Sequence, residues 1–156
     1  MKIYLRELQD SDLLVFWEQL TDPELQQMAA VTRKYHYDRG HFDQHWAKVR
    51  SDPAVILRTV LANGLVVGHG AIFGPRSERE VTYVVGRPHW GQGIASQALA
   101  QLIKLERTRP LHADAAADNA GSIRVLEKCG FMVTGLSRCF ARARGQEIDL
   151  VHLTLS

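Results

Sequence analysis

Between Glu80 and Ile103 the chain passes from a strand pattern to a helical one through a turn holding two glycines one residue apart. Glu80 to Val85 alternates, placing Glu80, Thr82 and Val84 on one face and Val81, Tyr83 and Val85 on the other. Gly86-Arg87-Pro88-His89-Trp90-Gly91-Gln92-Gly93 follows, after which Ile94, Ala98 and Leu102 recur beside Ala95, Leu99 and Ile103 at helical spacing. Strand, glycine turn and helix in that order confine the fold to α/β architectures in which a helix starts beside the end of a strand. The first N–H groups of such a helix have no partner within it, and the helix dipole gives that end roughly half a positive charge, so the end attracts anions. Gly91 and Gly93 accept positive φ and present no Cβ, and the small Ala95 and Ser96 let a ligand rest on the first helical turn. A diphosphate could sit on these main-chain donors, while two glycines one residue apart fit a purely structural turn equally well.

The rest of the chain supplies a sheet and flanking helices. Ile3 to Arg6 reads as an opening strand, and Ser11 as the N-cap of a helix with Leu13, Trp17 and Leu20 along one stripe. Pro23 opens a short helix with Leu25 and Met28 as its apolar side, and Asp38 starts another in which Phe42, Trp46 and Val49 recur up to Asp52-Pro53. From Val55 to Leu61 and from Leu65 to Phe73 the residues are β-branched and apolar, and Asn63-Gly64 between them is a strong hairpin signal. With Glu80 to Val85 these runs predict a three-stranded antiparallel meander. Leu111 to Ala115 is a short strand, and Asp118 or Asn119 caps a helix carrying Ile123, Leu126 and Cys129 that Gly130 ends. Phe131 to Leu136 and Ile148 to Leu155 are two closing strands, with Arg144-Gly145 in the connection. Residues 1–156 are expected to form a single domain, with no repeat or linker.

Composition excludes several function classes. Nineteen basic residues against seventeen acidic ones leave a formal charge of +2, too little for non-specific nucleic-acid binding but compatible with a mildly basic site for a phosphorylated ligand. No apolar stretch approaches the roughly 18 residues of a membrane span, and the first ten residues lack the apolar run of a secretory signal, so a cytoplasmic protein with no membrane partner is expected. Cys129 and Cys139 form no CxxC pair and are expected to be reduced thiols. Other phosphate motifs fit worse than a simple glycine cradle: Ser96 stands where a dinucleotide fingerprint needs its third glycine, and no GK[ST] element follows a strand.

Three blocks together resemble the GNAT acetyltransferase family, and within it the branch similar to RimJ and RimL protein N-acetyltransferases. They are Glu80-Val81-Thr82-Tyr83, Trp90-Gly91-Gln92-Gly93-Ile94-Ala95, and Asn119 through Ser122 to Lys128-Cys129-Gly130-Phe131; Tyr4-Leu5-Arg6 with Asp10-Ser11-Asp12 extends the likeness to the start of the chain. The resemblance implies the GNAT α/β fold, a mixed, mostly antiparallel twisted sheet flanked by helices. It also implies acetyl-CoA as acetyl donor. Trp90, Gly91, Gln92, Gly93, Ile94, Ala95 and Ser96 would surround the coenzyme A diphosphate, and Val84 and Val85 would pair with the pantetheine amides as an added strand does. Asn119 and Ser122 would lie near the thioester sulfur. Trp90 stands where the commonest family motif has Arg or Gln.

The implied reaction is acetyl transfer to a primary amine, either a protein N-terminal α-amine or a small amine, by direct attack in a ternary complex. Many GNAT enzymes have a tyrosine acid where this chain has Leu126, so Ser122, one turn earlier, becomes the candidate hydroxyl for the departing thiolate. An α-amine with a pKa of about 7.7–8.0 is partly neutral at pH 7, whereas a lysine near 10.4 is almost wholly charged, so a terminal amine asks less of a base. Glu80, on the face of Val84, is the first candidate base, with Glu147 and Asp149 behind it. Glu80 also reads as an ordinary surface carboxylate facing Arg79 or Arg87. A main-chain N–H of the third strand would stabilise the oxyanion, and a covalent route through Cys129 is disfavoured because the cysteine sits at a helix end against the core.

The alternative class is a non-catalytic acyl-CoA-binding sensor that keeps the cradle without a working base. Monomer and homodimer both fit the sequence. His41 and His45 are four apart on a helix, but no glutamate or third ligand accompanies them and no metal site is assigned. Phe16, Trp17 and Trp46 read as core, and Arg138, Arg142 and Arg144 as a solvated hairpin.

Overall fold

Asn63 and Gly64 take φ of 50° and 81°, the paired positive values that a two-residue hairpin turn requires. In the computed structural model, which describes residues 1–29 and 38–156, this turn joins β2 (Ile56–Ala62) to β3 (Leu65–Phe73). The strand β1 (Ile3–Arg6) lies antiparallel on β2, and β4 (Arg79–Val85) lies antiparallel on β3. The helices α1 (Asp12–Leu20), α2 (Pro23–Ala29) and α3 (Arg39–Ser51) fall between β1 and β2. After β4 come α4 (Ile94–Ile103), β5 (Leu111–Ala116), α5 (Ala120–Lys128), β6 (Met132–Ala141) and β7 (Gln146–Leu155). Among the described residues the strands form one seven-stranded sheet in the order β1-β2-β3-β4-β5-β7-β6. Every pairing is antiparallel except β4 with β5. This is the mixed, mostly antiparallel sheet flanked by helices that the sequence implied.

The parallel pair is the shortest in the sheet. It joins only Arg79 to Leu111 and Glu80 to His112, and from there β4 continues to Val85 and β5 to Ala116 without pairing. Arg79 fixes the root of this opening: its buried guanidinium contacts Glu106 at 2.9 and 3.1 Å and the Gly74 carbonyl at 2.8 Å. Glycine is required at residue 68 on β3, because a Cβ there would stand 1.9 Å from the Val84 carbonyl oxygen.

Helices cover both faces. Ile72, Val81, Leu99, Leu102, Leu111, Leu126, Phe131 and Leu153 build the main core between the sheet and the α4/α5 pair. On the opposite face Phe16, Phe42 and Trp46 pack with Leu13, Trp17 and Leu57. Phe16, not Trp17, is the buried aromatic residue of α1, and Met28 of α2 is exposed where the sequence placed it on the apolar side. The aromatic readings of Phe16 and Trp46 as core hold, with ring centroids 5.2 Å apart.

Ser11 makes no side-chain cap for α1. The neighbouring Asp12 organises that end instead: 1% exposed, it accepts from Arg6 at 2.7 and 2.9 Å, from Gln9 N at 2.9 Å and from Thr59 Oγ1 at 2.7 Å. Asp38 does cap α3, accepting from the N–H groups of Gly40 and His41. The last hairpin is longer than expected, since β6 runs to Ala141 rather than Leu136 and β7 starts at Gln146.

Two groups inside the fold, His69 and Asp12, carry the largest part of the dependence of stability on acid. Burial between Phe16 and Trp46 lowers His69 to about 4, with His45 adding to the effect, so the folded state excludes a proton that the unfolded chain takes up below about 6.5. Burial alone would raise the Asp12 carboxyl, but the hydrogen bonds from Arg6, Gln9 and Thr59 outweigh it and hold Asp12 at about 2. Stability should therefore fall in two stages in urea titrations, from pH 6.5 toward 4 through His69 and from about 3.8 toward 2 through Asp12. His69→Phe should remove the first stage, and Asp12→Ala should lower stability by about 3 kcal/mol at neutral pH by stranding Arg6 and Thr59.

Candidate functional site

The unpaired lengths of β4 and β5 leave a cleft in the middle of the sheet, and the turn after β4 brings the start of α4 to its end. Gly91 and Gly93 have φ of 78° and 77°, and a Cβ built on either meets no heavy atom within 4 Å, so the space before the helix is open. Gly93 is the N-cap residue, no side chain caps the helix, and its first main-chain bond runs from Gln97 N to Gly93 O at 3.3 Å. The N–H groups of Ile94, Ala95 and Ser96 precede that bond and are the donors a diphosphate would use. The residues fit the group on this observation: two left-handed glycines, open space and an uncapped helix start.

Trp90 has a structural job that its departure from the commonest motif did not reveal. Its indole Nε1 donates to the Val85 carbonyl at 2.8 Å and its N–H to the Arg87 carbonyl at 3.1 Å, which folds the turn back onto the end of β4. The Val85 carbonyl is thereby occupied, so pairing with a pantetheine arm near Val84 and Val85 falls to other main-chain groups of that edge. Arg87 anchors the same turn to α2, contacting Asp22 at 2.9 Å and Glu24 at 3.4 Å.

Asn119 and Ser122 stand at the start of α5, just beyond the end of β5. Asn119 caps the helix by accepting from Ser122 N at 3.1 Å, and its amide donates to the Met28 carbonyl of α2 at 3.1 Å. The Ser122 hydroxyl lies 2.9 Å from the Tyr83 hydroxyl, so α5 and β4 meet across the cleft through two O–H groups. Burial pushes the Tyr83 phenol up to about 12, with the Ser122 hydrogen bond pulling the other way, and so it stays a protonated donor at neutral pH. The sequence placed Tyr83 on the strand face of Val81 and Val85 and in a block shared with the family, without a role of its own. Its parity on β4 was legible, but its partner 39 residues away was not.

Glu80 is exposed on the opposite face, at the last position where β4 and β5 still pair. Of the two arginines considered beside it, Arg79 contacts Glu106, and Arg87 contacts Asp22 and Glu24. Glu147 and Asp149 are engaged with Arg138 at 3.6 and 2.9 Å. Arg144 is not a solvated hairpin residue: its side chain is 9% exposed and joins Asp118 at 2.5 Å and the Gln27 carbonyl at 2.9 Å, tying the β6–β7 turn to α2. Cys129 and Cys139 are free thiols, and burial raises Cys129, which disfavours the thiolate that a covalent route needs. His41 bonds Asp38 at 2.8 Å beside the α3 cap, and His45 packs edge-on against Trp46. Among the described residues no group of three His, Cys, Asp or Glu could hold a metal ion, and no helix is long and apolar enough to cross a membrane.

A folded Gly93→Asp variant should lose acetyl-CoA binding by at least about 100-fold in titration calorimetry, since it strains a φ of 77° and sets a carboxylate against the anion.

The family model described as Acetyltransferase (GNAT) domain matches residues 2–132. An uncharacterized N-acetyltransferase, p20, of Bacillus licheniformis is 33% identical over 92 residues, covering 56% of this chain and 52% of that protein. The chain thus aligns with about half the length of that curated relative. The fold is similar to spermidine N-acetyltransferase of Vibrio cholerae in complex with CoA and spermine, with a TM-score of 0.84 at 16% identity over 98% of this chain and 94% of that one. It is also similar to ribosomal-protein-alanine N-acetyltransferase of Brucella melitensis, with a TM-score of 0.82 at 24% identity over 97% and 98% of the two chains. A phosphinothricin acetyltransferase of Sinorhizobium meliloti in complex with AcCoA gives 0.83 at 18% identity over 99% and 88%.

Proposed function

Because the chain belongs to the GNAT acetyltransferase family, we propose that it is an acetyl-CoA-dependent N-acetyltransferase acting on a primary amine, in the manner of the RimJ/RimL-like branch. The observation that carries this reading is the cleft itself. Two strands part beyond Glu80 and His112, an uncapped helix start with two left-handed glycines lies at one end, and a hydrogen-bonded pair of hydroxyls lies at the inner wall. Acetyl-CoA supplies the activated acyl group. The amides of residues 91–96 hold its diphosphate, the free edge of β4 near Val84 and Val85 receives the pantetheine, and Asn119 and Ser122 lie toward the sulfur.

The acceptor is a protein N-terminal α-amine or a small amine, and it meets the acyl group directly in a ternary complex. Glu80 attracts the acceptor ammonium and accepts its proton directly or through one water. Ser122 donates a hydrogen bond to the departing thiolate, and Tyr83 stabilises that hydroxyl from behind. The thiolate needs only partial help, since a thiol pKa of about 8.5 is close to the working pH. A main-chain N–H of β4 meets the oxyanion. The role of the missing tyrosine at Leu126, which is fully buried in the core, is taken by the Ser122 hydroxyl one turn earlier.

Release of free thiol from acetyl-CoA should depend on added amine or peptide. Ser122→Ala and Glu80→Gln should each lower kcat/KM by about 10-fold or more with acetyl-CoA affinity unchanged, and Tyr83→Phe should lower it by a smaller factor. Tight acetyl-CoA binding without amine-dependent thiol release across a broad acceptor panel would replace this reading with that of an acyl-CoA sensor.

A further inference from the structure

Asp114, His152 and Ser137 form a hydrogen-bonded row across three adjacent strands. His152 Nδ1 lies 2.6 Å from Asp114 Oδ1, and His152 Nε2 lies 2.8 Å from Ser137 Oγ. Asp114 and His152 face each other in the β5–β7 register. Leu111 and Ala113 of β5 point into the core beneath α4 and α5, so His112 and Asp114 point to the other face, which Glu80 shares through its register with His112. Asp114 is the first outward-facing residue of β5 beyond the last β4–β5 pair. It therefore stands one pleat nearer the opened part of the cleft than Glu80 does. The row ends at exposed Ser137, on the edge strand β6, two strands beyond β5.

The order of the row decides its chemistry. Ser, His and Asp at these distances would suggest an acyl-transferring serine, but here the serine is remote from the cleft and the carboxylate is next to it. Ser137 also lies in mid-strand, where main-chain N–H groups run within the sheet and do not converge on an oxyanion above it. The two hydrogen bonds instead fix a carboxylate. A Ser137 O–H donated to Nε2 leaves the imidazole proton on Nδ1, and that proton holds Asp114 Oδ1.

We propose that Asp114 is a second proton acceptor for the amine substrate, beside Glu80, and that His152 and Ser137 are its positioning residues; the proposal rests on the acetyltransferase reading above. An N–H bond of the acceptor ammonium breaks and its proton passes to Asp114. The freed nitrogen lone pair forms the C–N bond to the acetyl carbon, and the C–S bond breaks with its electron pair staying on sulfur. The nitrogen's remaining extra proton reaches the thiolate, giving the free thiol and the amide, and Asp114, 43% exposed, returns its proton to water.

The test compares two acceptors on the intact protein. One is a strongly basic alkylamine, and the other is a weakly basic amine already neutral at the assay pH. Asp114→Asn should lower kcat/KM for the basic amine by about 100-fold and for the weakly basic one by less than about 5-fold, with acetyl-CoA affinity unchanged by calorimetry. His152→Ala should show the same selectivity at about 10-fold, and His152→Gln, which restores an N–H donor, should recover part of it. Nitrogen-15 spectra of the histidines should place the His152 proton on Nδ1 in the parent and in Glu80→Gln, and should lose that preference in Asp114→Ala. Equal losses for both amines, or a basic-amine rate in Asp114→Asn within about twofold of the parent, would overturn the proposal. A parent protein that binds acetyl-CoA but acetylates neither amine would overturn the acetyltransferase reading and this proposal with it.

Discussion

The parting of β4 from β5 is the constraint on which the rest of the molecule depends. A parallel pair in a sheet would normally continue along the shorter strand, yet here it ends after Arg79–Leu111 and Glu80–His112. Main-chain groups that lose a partner inside a protein must find another or open to a ligand, because an unpaired buried N–H or C=O is costly. Part of that demand is met internally, as Trp90 takes the Val85 carbonyl. The remaining edge is what a peptide-like pantetheine arm can use, in the way an extended segment adds to a sheet. The antiparallel meander on one side and the β5–β7–β6 group on the other are each complete without the missing pairs, so the opening does not undo the sheet.

Ion pairs hold this opening in place at its margins. Arg79 and Glu106 close the root from the α4 side, Arg87 clips the glycine turn to α2, and Arg144 clips the β6–β7 turn to the same helix through the Gln27 carbonyl. Exposed pairs of this kind contribute little stability individually, but the Arg79 pair is largely buried and has a main-chain carbonyl as third partner. The consequence lies in geometry more than in stability. The segments that border the cleft are each tied to a neighbour, so the uncapped start of α4, the hydroxyl pair and the outward carboxylates stay in register with one another.

Much of this was legible in the residues. Asn63-Gly64 announced its hairpin because only a few residue types accept the two positive φ values, and Asp38, Asn119 and Gly130 marked helix ends by equally local chemistry. The glycine turn and the strand before it were legible for the same reason. Ser11 misled because a capping residue is recognised by type, whereas the carboxylate next to it was claimed by Arg6 and by Thr59, 47 residues away. The Tyr83–Ser122 contact and the Asp114–His152–Ser137 row escaped because each joins residues 15 to 39 apart whose meeting depends on strand register and helix placement. Local pattern shows which face a side chain takes. It does not show who stands opposite.

The start of α4 and the cleft between β4 and β5 should form one continuous site for acetyl-CoA. In a crystal structure of the complex the diphosphate is expected on the amides of residues 91–96, the pantetheine along the free edge of β4, and the sulfur beside Ser122. A coenzyme bound elsewhere, with the cleft closed by pairing of β4 to β5 beyond Glu80, would rule that site out.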